Sequence, residues 1–169
     1  KSRSRGLGDV YKRQVKDRGI KQIAVSFQDT NYGKELERNF KKTLNSSNVE
    51  ITVSVPIKIN KTDLSNEVSV LAAAGGDAVA IFTEVEQDGE RLIKSILDSG
   101  AFEKFILSDR MINKSTEKEF GKLINNSFGI IPGSNSKNIN SFNKIAQKNN
   151  IDTSGPVSYT HLTLPTMEL

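Results

Sequence analysis

The sequence predicts an α/β fold: an open, mostly parallel sheet of about five strands with helices on both faces. Two observations predict it. Short apolar runs typical of strands recur along residues 15–156, and apolar residues with helical spacing lie between or after those runs. Strands that alternate with helices form parallel sheets with right-handed crossovers, so we expect one α/β lobe over these residues.

The first strand and helix are predicted from residues 21–44. Ile23–Phe27 is a short apolar run rich in branched and aromatic residues, as in buried strands. A polar loop follows, and from Tyr32 to Leu44 an apolar residue recurs at every fourth position, which is helical spacing. Open α/β sheets bind ligands beside the loops at the carboxyl ends of their strands, so we expect loop 28–33 to line a binding surface.

The later elements repeat the same alternation. Four further apolar runs predict strands, and these are Val49–Ile57, Ala78–Phe82, Phe105–Leu107 and Phe128–Ile131. Apolar stripes predict helices around residues 64–72, 92–97, 120–124 and 139–146. Apolar and polar residues alternate strictly over Ile51–Val55, which indicates one less buried face and predicts an edge strand.

Helix ends are marked by capping residues and by glycines. Thr116 and Glu119 have the spacing of a capping box. Thr62 or Asp63 can cap the helix that follows them. Glycine supplies the left-handed backbone on which helices commonly end. The glycines expected at helix ends are Gly75, Gly76 and Gly100.

The composition excludes several classes of site. The chain has 169 residues, of which 36% are apolar and 26% charged, as in folded domains. It has no cysteine, which excludes disulfides, thiolate metal sites and thiol nucleophiles and fits an oxidising compartment. The formal net charge of +4 is carried by residues 1–14, and the remainder is close to neutral. Because nucleic-acid binding needs clustered positive charge, we expect no nucleic-acid partner.

The two ends do not continue the pattern of the middle. Residues 1–14 and 157–169 lack apolar periodicity, and both resemble translated sequencing-adapter read-through. We therefore expect them to be non-native extensions. The alternative is a basic N-terminal arm and a C-terminal strand. His161, the only histidine, lies in the second of these segments and receives no predicted role.

The loops after the strands contain no catalytic set. A dinucleotide site needs Gly-x-Gly-x-x-Gly after the first strand, but that loop contains only Gly33, and the chain has no P-loop. A phosphate-accepting receiver domain needs an acidic cluster there, where Asp29 stands alone. Without a histidine in the predicted lobe, a Ser-His-Asp set is excluded. We therefore expect no enzyme activity, no cofactor and no metal site.

Polar side chains remain in these loops as candidates for ligand binding. They are Asp29, Asn31 and Tyr32 after the first strand, Glu84 and Glu86 after the third, and Ser108, Asp109 and Arg110 after the fourth. Each has a structural alternative. Asp29 or Asn31 can cap the first helix, and Tyr32 can belong to the core. The carboxylates of the third loop can be solvated, and the charges of the fourth can pair on the surface.

Five sequence blocks resemble one known family. The blocks are Ile23–Leu36 with its Asp-x-x-Tyr-Gly turn, Leu71–Val79, Gln87–Phe102, Ile106–Met111 and Ser127–Ser134. Their order is similar to that in the periplasmic solute-binding proteins of branched-chain (Leu/Ile/Val-type) amino-acid ABC importers, which have the type I periplasmic-binding fold. The resemblance covers about residues 15–156 and corresponds to most of the second lobe of such proteins.

The resemblance implies a function and its partners. In the family, two α/β lobes are joined by hinge strands, and an amino acid is held in the cleft for delivery to a membrane permease. For this chain the resemblance implies a periplasmic, non-catalytic solute-binding protein whose partners are a small ligand, the permease and the first lobe. It also implies that residues 15–156 alone fold in part and bind poorly, since the other lobe supplies half of the cleft.

The resemblance further implies four ligand contacts. Tyr32 matches the tyrosine of the family's Tyr-Gly turn, and Asp109, or the residue after it, matches an acidic contact that follows the fourth strand. Glu84 stands where an aromatic contact is common, and Arg110 stands where a small glycine is common. These two departures argue against a purely aliphatic ligand and favour a charged or polar amino acid, an amide or a related solute.

Two other functions stay open. A sensor or transcription regulator can contain the same lobe, together with a helix-turn-helix or a membrane span in another part of the protein. A small α/β enzyme is a further alternative, against which the lack of a nucleophile, base or metal set argues.

Overall fold

A computed structural model of the chain describes residues 15–45, 47–124 and 127–129. Its strands are β1 (Gln22–Gln28), β2 (Glu50–Ile57), β3 (Ala78–Phe82), β4 (Phe105–Leu107) and β5 (Phe128–Gly129). They form one five-stranded sheet in the order β2-β1-β3-β4-β5, and every neighbouring pair is parallel. The predicted parallel α/β sheet is confirmed.

Helices connect the strands of the sheet. They are α1 (Asn31–Leu44), α2 (Ser65–Ala74), α3 (Glu86–Ser99) and α4 (Lys114–Phe120), with a 3-10 turn at Asp109–Met111. Within the described ranges, no helix is long and apolar enough to cross a membrane. The helix predicted at 139–146, the last two residues of the fifth predicted strand and both predicted extensions lie outside the described residues.

Strand side chains alternate between two apolar clusters, one on each face of the sheet. On one face, Phe40 and Leu44 of α1 are buried, and the Phe40 ring meets that of Phe82 edge to face with centroids 5.1 Å apart. On the other face, α2, α3 and α4 bury apolar side chains that include Leu71, Ile93 and Phe120. Helices therefore cover both faces, as predicted, which explains why every residue of β3 is apolar and buried.

Strand β2 lies at the edge of the sheet, as its alternating pattern predicts. Asp29 donates its backbone N–H to the carbonyl of Ile57 at 2.8 Å, so Ile57 faces β1. By alternation, the backbone of Pro56 faces away from the sheet. Because proline has no N–H, it interrupts the free edge without removing a bond to β1. The proline therefore protects this edge against pairing with another chain.

The observed helix caps differ in part from those predicted. Asn113, not Thr116, caps α4, since its side-chain oxygen accepts the N–H of Thr116 at 2.9 Å. Helix α4 thus begins earlier than the capping-box spacing predicts, and it ends at Phe120, so most of the predicted 120–124 stripe lies in turns. Neither Thr62 nor Asp63 is the N-cap of α2: that position is Leu64, whose side chain makes no capping bond, although the Asp63 carboxylate accepts the N–H of Ser65 at 3.0 Å.

The glycines expected at helix ends are confirmed. Gly75 follows the last residue of α2 with a φ of 65°, and Gly100 follows that of α3 with a φ of 66°. Both φ values are positive, which glycine adopts without steric strain. Gly100, with a ψ of 16°, has the expected left-handed helical conformation, whereas Gly75, with a ψ of −170°, does not.

Candidate functional site

The carboxyl ends of β1, β3 and β4 lie side by side at one edge of the sheet. From β1 the chain moves to β2 on one side, and it then returns to form β3 on the other side. The side of β1 on which successive strands are added thus changes after β2, which makes the carboxyl ends of β1 and β3 a topological switch point. Open α/β sheets bind ligands in the crevice outside such a point. The four predicted contact residues, Tyr32, Glu84, Asp109 and Arg110, all follow these three strands.

The position of Tyr32 is set by the close approach of α1 to the end of β1. Thr30 caps the helix, since its hydroxyl oxygen accepts the N–H of Gly33 at 3.1 Å. The predicted caps Asp29 and Asn31 are therefore wrong. A Cβ on Gly33 would overlap the carbonyl oxygen of Gln28, so only glycine allows the first turn of α1 to lie against the strand end. Tyr32 lies in that turn.

Tyr32 and Asp109 form a hydrogen bond across the edge. The Tyr32 hydroxyl donates to Oδ1 of Asp109, which joins the loop after β1 to the loop after β4. Burial raises the pKa of Tyr32 well above its usual 10.0, and the hydrogen bond and charge of Asp109 raise it further. The opposing effects of Arg110 and Ser108 are smaller. Tyr32 therefore stays a neutral hydrogen-bond donor throughout the physiological pH range.

Arg110 places a positive charge beside this pair. Its guanidinium carbon lies 5.9 Å from the centroid of the Tyr32 ring, within the range of a cation–π contact. The Arg110 side chain is exposed and forms no ion pair with another described residue. In particular it does not pair with Asp109, so the predicted alternative of a surface ion pair between them is wrong.

Glu84 lies at the same edge but apart from the other three residues. Its backbone N–H donates to the side-chain oxygen of Gln28 at 2.8 Å, whereas its own side chain is exposed. Within the part of the chain that the structure describes, no hydrogen bond or ion pair joins its carboxylate to Tyr32, Asp109 or Arg110. The structure therefore brings together three of the four predicted residues.

A groove of about 370 Å³ lies beside the ends of β1 and β2. Its lining residues are Asp29, Pro56, Ile57, Lys58, Ile59, Lys61 and Glu67. Asp29 pairs with Lys34 at 2.5 Å, and Glu67 pairs with Lys61, so both carboxylates of the groove already have cationic partners. Among the described residues, no group of three or more His, Cys, Asp or Glu side chains could hold a metal ion.

Solved structures match this fold, whereas neither a protein-family model nor a curated protein matches the sequence. An extracellular ligand-binding receptor from Rhodopseudomonas palustris HaA2 has a TM-score of 0.70 and 16% identity over 88% of this chain and 44% of that one. A type 1 periplasmic binding protein from Bordetella pertussis Tohama I has a TM-score of 0.68 and 13% identity over 83% and 39%. This chain has the fold of one lobe of a periplasmic binding protein.

A third solved structure with a similar fold belongs to a protein described as a transporter component. A protein from Rhodospirillum rubrum assigned as a branched-chain amino acid ABC transporter has a TM-score of 0.69 and 11% identity, over 88% of this chain and 43% of that one. At such identities the likeness concerns the fold alone. The lobe spans less than half the length of each of these solved chains. The type I fold that the sequence resemblance predicts is thereby confirmed.

The lobe also contains a buried polar centre that the sequence does not reveal. Gln28, at the end of β1, is fully buried and donates its amide N–H to Oδ2 of Asp88 at 2.6 Å. Its amide oxygen accepts the backbone N–H groups of Glu84 at 2.8 Å and Val85 at 3.1 Å. One side chain thus connects the end of β1 to the loop after β3 and to the first turn of α3.

Asp88 connects this centre to the loop after β2. Oδ2 of Asp88 also accepts the backbone N–H of Asn60 at 3.0 Å, and Asn60 has a left-handed φ of 56° that is uncommon outside glycine. Oδ1 lies 3.1 Å from the Arg91 guanidinium, a contact that is an ion pair and not a hydrogen bond. Arg91 in turn donates to the carbonyl of Lys61 at 3.0 Å.

Neither Gln28 nor Asp88 has a motif that marks it in the sequence. A glutamine that ends a strand and an aspartate in the first turn of a helix are ordinary residues at those positions. Burial of both groups follows only from the packing of α3 against the strand ends.

Proposed function

We propose that this lobe belongs to a non-catalytic binding protein that captures a small solute, an amino acid or a related compound, in the periplasm for delivery to an ABC importer. The fold of the lobe and the binding and transport proteins that share it support the proposal. The partners are the solute, a membrane permease and a second lobe that completes the cleft. Closure of two such lobes around a ligand is a known mode of domain motion.

The unused hydrogen-bonding capacity of the Tyr32–Asp109–Arg110 cluster is the observation that carries the proposal. Tyr32 uses its only proton on Asp109, so its oxygen can now only accept. Oδ2 of Asp109 has no hydrogen-bond partner among the described residues, and the Arg110 guanidinium has no hydrogen-bond or ion-pair partner among them, only its contact with the Tyr32 ring. Two acceptors beside one cation match a ligand that carries both an ammonium and a carboxylate group.

The charges at this edge favour a polar or charged amino acid over an aliphatic one. Arg110 places a positive charge beside Tyr32, and the exposed Glu84 places a negative charge farther along the same edge of the sheet. A purely aliphatic side chain enclosed against them would leave these charges desolvated without partners, which is unfavourable. A ligand with a carboxylate, amide or ammonium group in its side chain can supply the missing hydrogen bonds.

Calorimetric titration with amino acids tests the proposal. The panel contains Leu, Ile, Val, Glu, Asn, Gln and Lys, and it is applied to this chain and to any longer product that its gene encodes. We expect at least one polar or charged member to bind and no chemical turnover. Tyr32→Phe and Asp109→Asn each remove a group of the cluster and should weaken binding about tenfold or more.

The matched control is Asn39→Ala, which alters an exposed side chain of the same helix as Tyr32 and should leave binding unchanged. Binding of Leu, Ile or Val alone would contradict the choice of a polar ligand. If no member of the panel binds to either product, the amino-acid proposal is wrong.

A further inference from the structure

The hydrogen bond of the buried Gln28–Asp88 pair has a fixed donor and a fixed acceptor: the Gln28 amide donates and the Asp88 carboxylate accepts. Position 28 must accept two backbone N–H groups and must also donate to Asp88. An amide of this length does both, whereas a carboxylate can only accept at neutral pH. Position 88 must accept from Gln28 and from the backbone of Asn60 and must face the Arg91 cation, which suits a carboxylate.

These bonds lie directly behind the proposed binding surface. The backbone carbonyl of Gln28 accepts the N–H of Thr30, the N-cap of α1, at 2.7 Å and lies against Gly33, which is next to Tyr32 in the first turn of that helix. The side chain of the same residue accepts the N–H of Glu84. Gln28 is therefore in contact with the two loops that carry Tyr32 and Glu84.

We propose that Gln28 and Asp88 are positioning residues, which fix the loop of Glu84 relative to Tyr32 and the loop of Asn60 relative to both. That these loops bind a ligand rests on the function proposed above, whereas their attachment to one another is a property of the lobe itself. Neither residue is proposed to touch the ligand, since both are buried beneath the surface.

Amide hydrogen exchange in the variant Gln28→Glu tests the inference. The substitution places two carboxylates at the 2.6 Å contact and removes its only donor. We expect the Glu84, Val85 and Asn60 amides to exchange about tenfold faster or more, because the two carboxylates repel each other and cannot both keep their positions, so the side chains at 28 and 88 withdraw from the N–H groups that they accept. The amides of Ile81 and Ile106, in the buried strands, should accelerate less and serve as the measure of global opening.

The double variant Gln28→Glu/Asp88→Asn tests whether protection of the Glu84 and Val85 amides can be restored. It reverses the direction of the central bond, since an asparagine at position 88 can donate its amide N–H to a glutamate at position 28. The Asn60 N–H shares Oδ2 of Asp88 with Gln28 in the wild type, so it loses its acceptor in the double variant and should stay fast to exchange. Arg91, whose side chain is 32% exposed, can turn to solvent. Exchange at Glu84 and Val85 should return to within about threefold of the wild type, well below the tenfold change that a lost bond produces.

Gln22→Glu is the matched control. Gln22 lies at the other end of β1 and also donates its amide to a carboxylate, that of Glu50 at 3.0 Å, but at an exposed position. The same substitution there should leave exchange at Glu84 and Val85 unchanged, because exposed charges are screened by water.

The outcomes separate this inference from the proposed function. Unchanged Glu84 and Val85 amides in Gln28→Glu, or acceleration equal to that of Ile81 and Ile106, would overturn it. If Gln28→Glu does not fold, the double variant must fold with both amides protected, and its failure to do so also overturns the inference. No ligand enters the measurement, so a failed amino-acid titration leaves these outcomes intact.

Discussion

Two polar clusters lie at the same edge of the sheet and contain similar groups, yet their surroundings differ. The cluster of Tyr32, Asp109 and Arg110 is half-buried to exposed, and within the described structure it keeps acceptor atoms and a guanidinium that are not saturated by hydrogen bonds or ion pairs. The cluster of Gln28 and Asp88 is buried, with exposed fractions of 0% and 2%, and its polar groups face protein partners. A ligand needs unused hydrogen-bonding capacity, so the first cluster suits binding and the second suits support.

The physical reason is the free energy of desolvation. A polar group taken out of water must find a partner within the protein, and a buried group left without one destabilises the fold by a few kcal/mol. A polar group that remains partly in water does not destabilise the free protein in this way, and a ligand can later replace the water molecules that it binds. The two clusters are therefore distinguished by their burial and by whether their polar groups already have hydrogen-bond partners, and not by residue type.

Asp88→Ala should have the largest effect because it removes the acceptor at the centre of the buried cluster. The amide of Gln28 and the N–H of Asn60 lose their partner, and we expect the free energy of unfolding to fall by about 3 kcal/mol. Urea denaturation measures it. Asp98→Ala, at an exposed position of the same helix, should change stability by less than about 0.5 kcal/mol. Equal effects of the two variants would contradict the distinction between the clusters.

Gly33→Ala should disturb the exposed cluster while leaving the side chains of the buried one intact. A methyl group overlaps the carbonyl of Gln28, so the first turn of α1 must shift at a cost of about 1–3 kcal/mol. The shift separates Tyr32 from Asp109, and we expect the pKa of Tyr32 to move down towards 10.0. Ultraviolet titration of the three tyrosines follows this, with the wild type as the reference for the two that the variant leaves unchanged. Asn39→Ala, at an exposed position of α1, is the control in which the pKa of Tyr32 stays raised.

Tyr32→Phe should cost about 1 kcal/mol of stability at neutral pH, since the lost hydrogen bond lies between groups that are only partly buried. The effect depends on pH in a defined direction. Folding raises the pKa of Tyr32, so this contribution is complete below the unfolded pKa of about 10 and is lost as the pH rises through the folded pKa. The stability difference between wild type and variant should therefore shrink above pH 10 in urea denaturation. A difference that grows instead would show that Tyr32 ionises readily.

Asp77→Asn should have the smallest effect. It tests how much a carboxylate that already accepts two hydrogen bonds stabilises the fold when it is exposed to water. Asp77 is exposed, but Oδ2 of its carboxylate accepts the backbone N–H groups of Lys21 at 2.7 Å and Gln22 at 3.0 Å. These bonds lower the pKa of Asp77 below its usual 3.8. The stabilisation is present above that pH and is lost as the pH falls through the folded pKa.

For Asp77→Asn we expect a loss below about 1 kcal/mol at pH 6 that becomes smaller as the pH is lowered below 3.8, measured by urea denaturation across this range. A loss that persists at the lower pH would show that the charge of Asp77 is not its cause.

Much of the fold could be predicted from local patterns. The strands, the alternation with helices and the edge position of β2 follow from the spacing of apolar residues, because burial on one or two faces imposes that spacing directly. Capping was less predictable. Thr30 caps α1, although Asp29 and Asn31 are equally suitable by residue type, and Asn113 caps α4, although Thr116 is also suitable. Several small polar residues near the start of a helix can each accept its free N–H groups, so residue type alone does not select the cap.

By itself the sequence determined the parallel α/β class, the absence of a thiol or nucleotide motif, and the candidates Tyr32, Asp109 and Arg110 through the family resemblance. Only the tertiary structure decided which polar groups meet. Tyr32 and Asp109 are 77 positions apart, and Gln28 and Asp88 are 60 apart. Such pairs depend on strand order and helix packing, which a local pattern does not specify. Desolvation then decides which of these pairs is already satisfied and which remains open to a ligand.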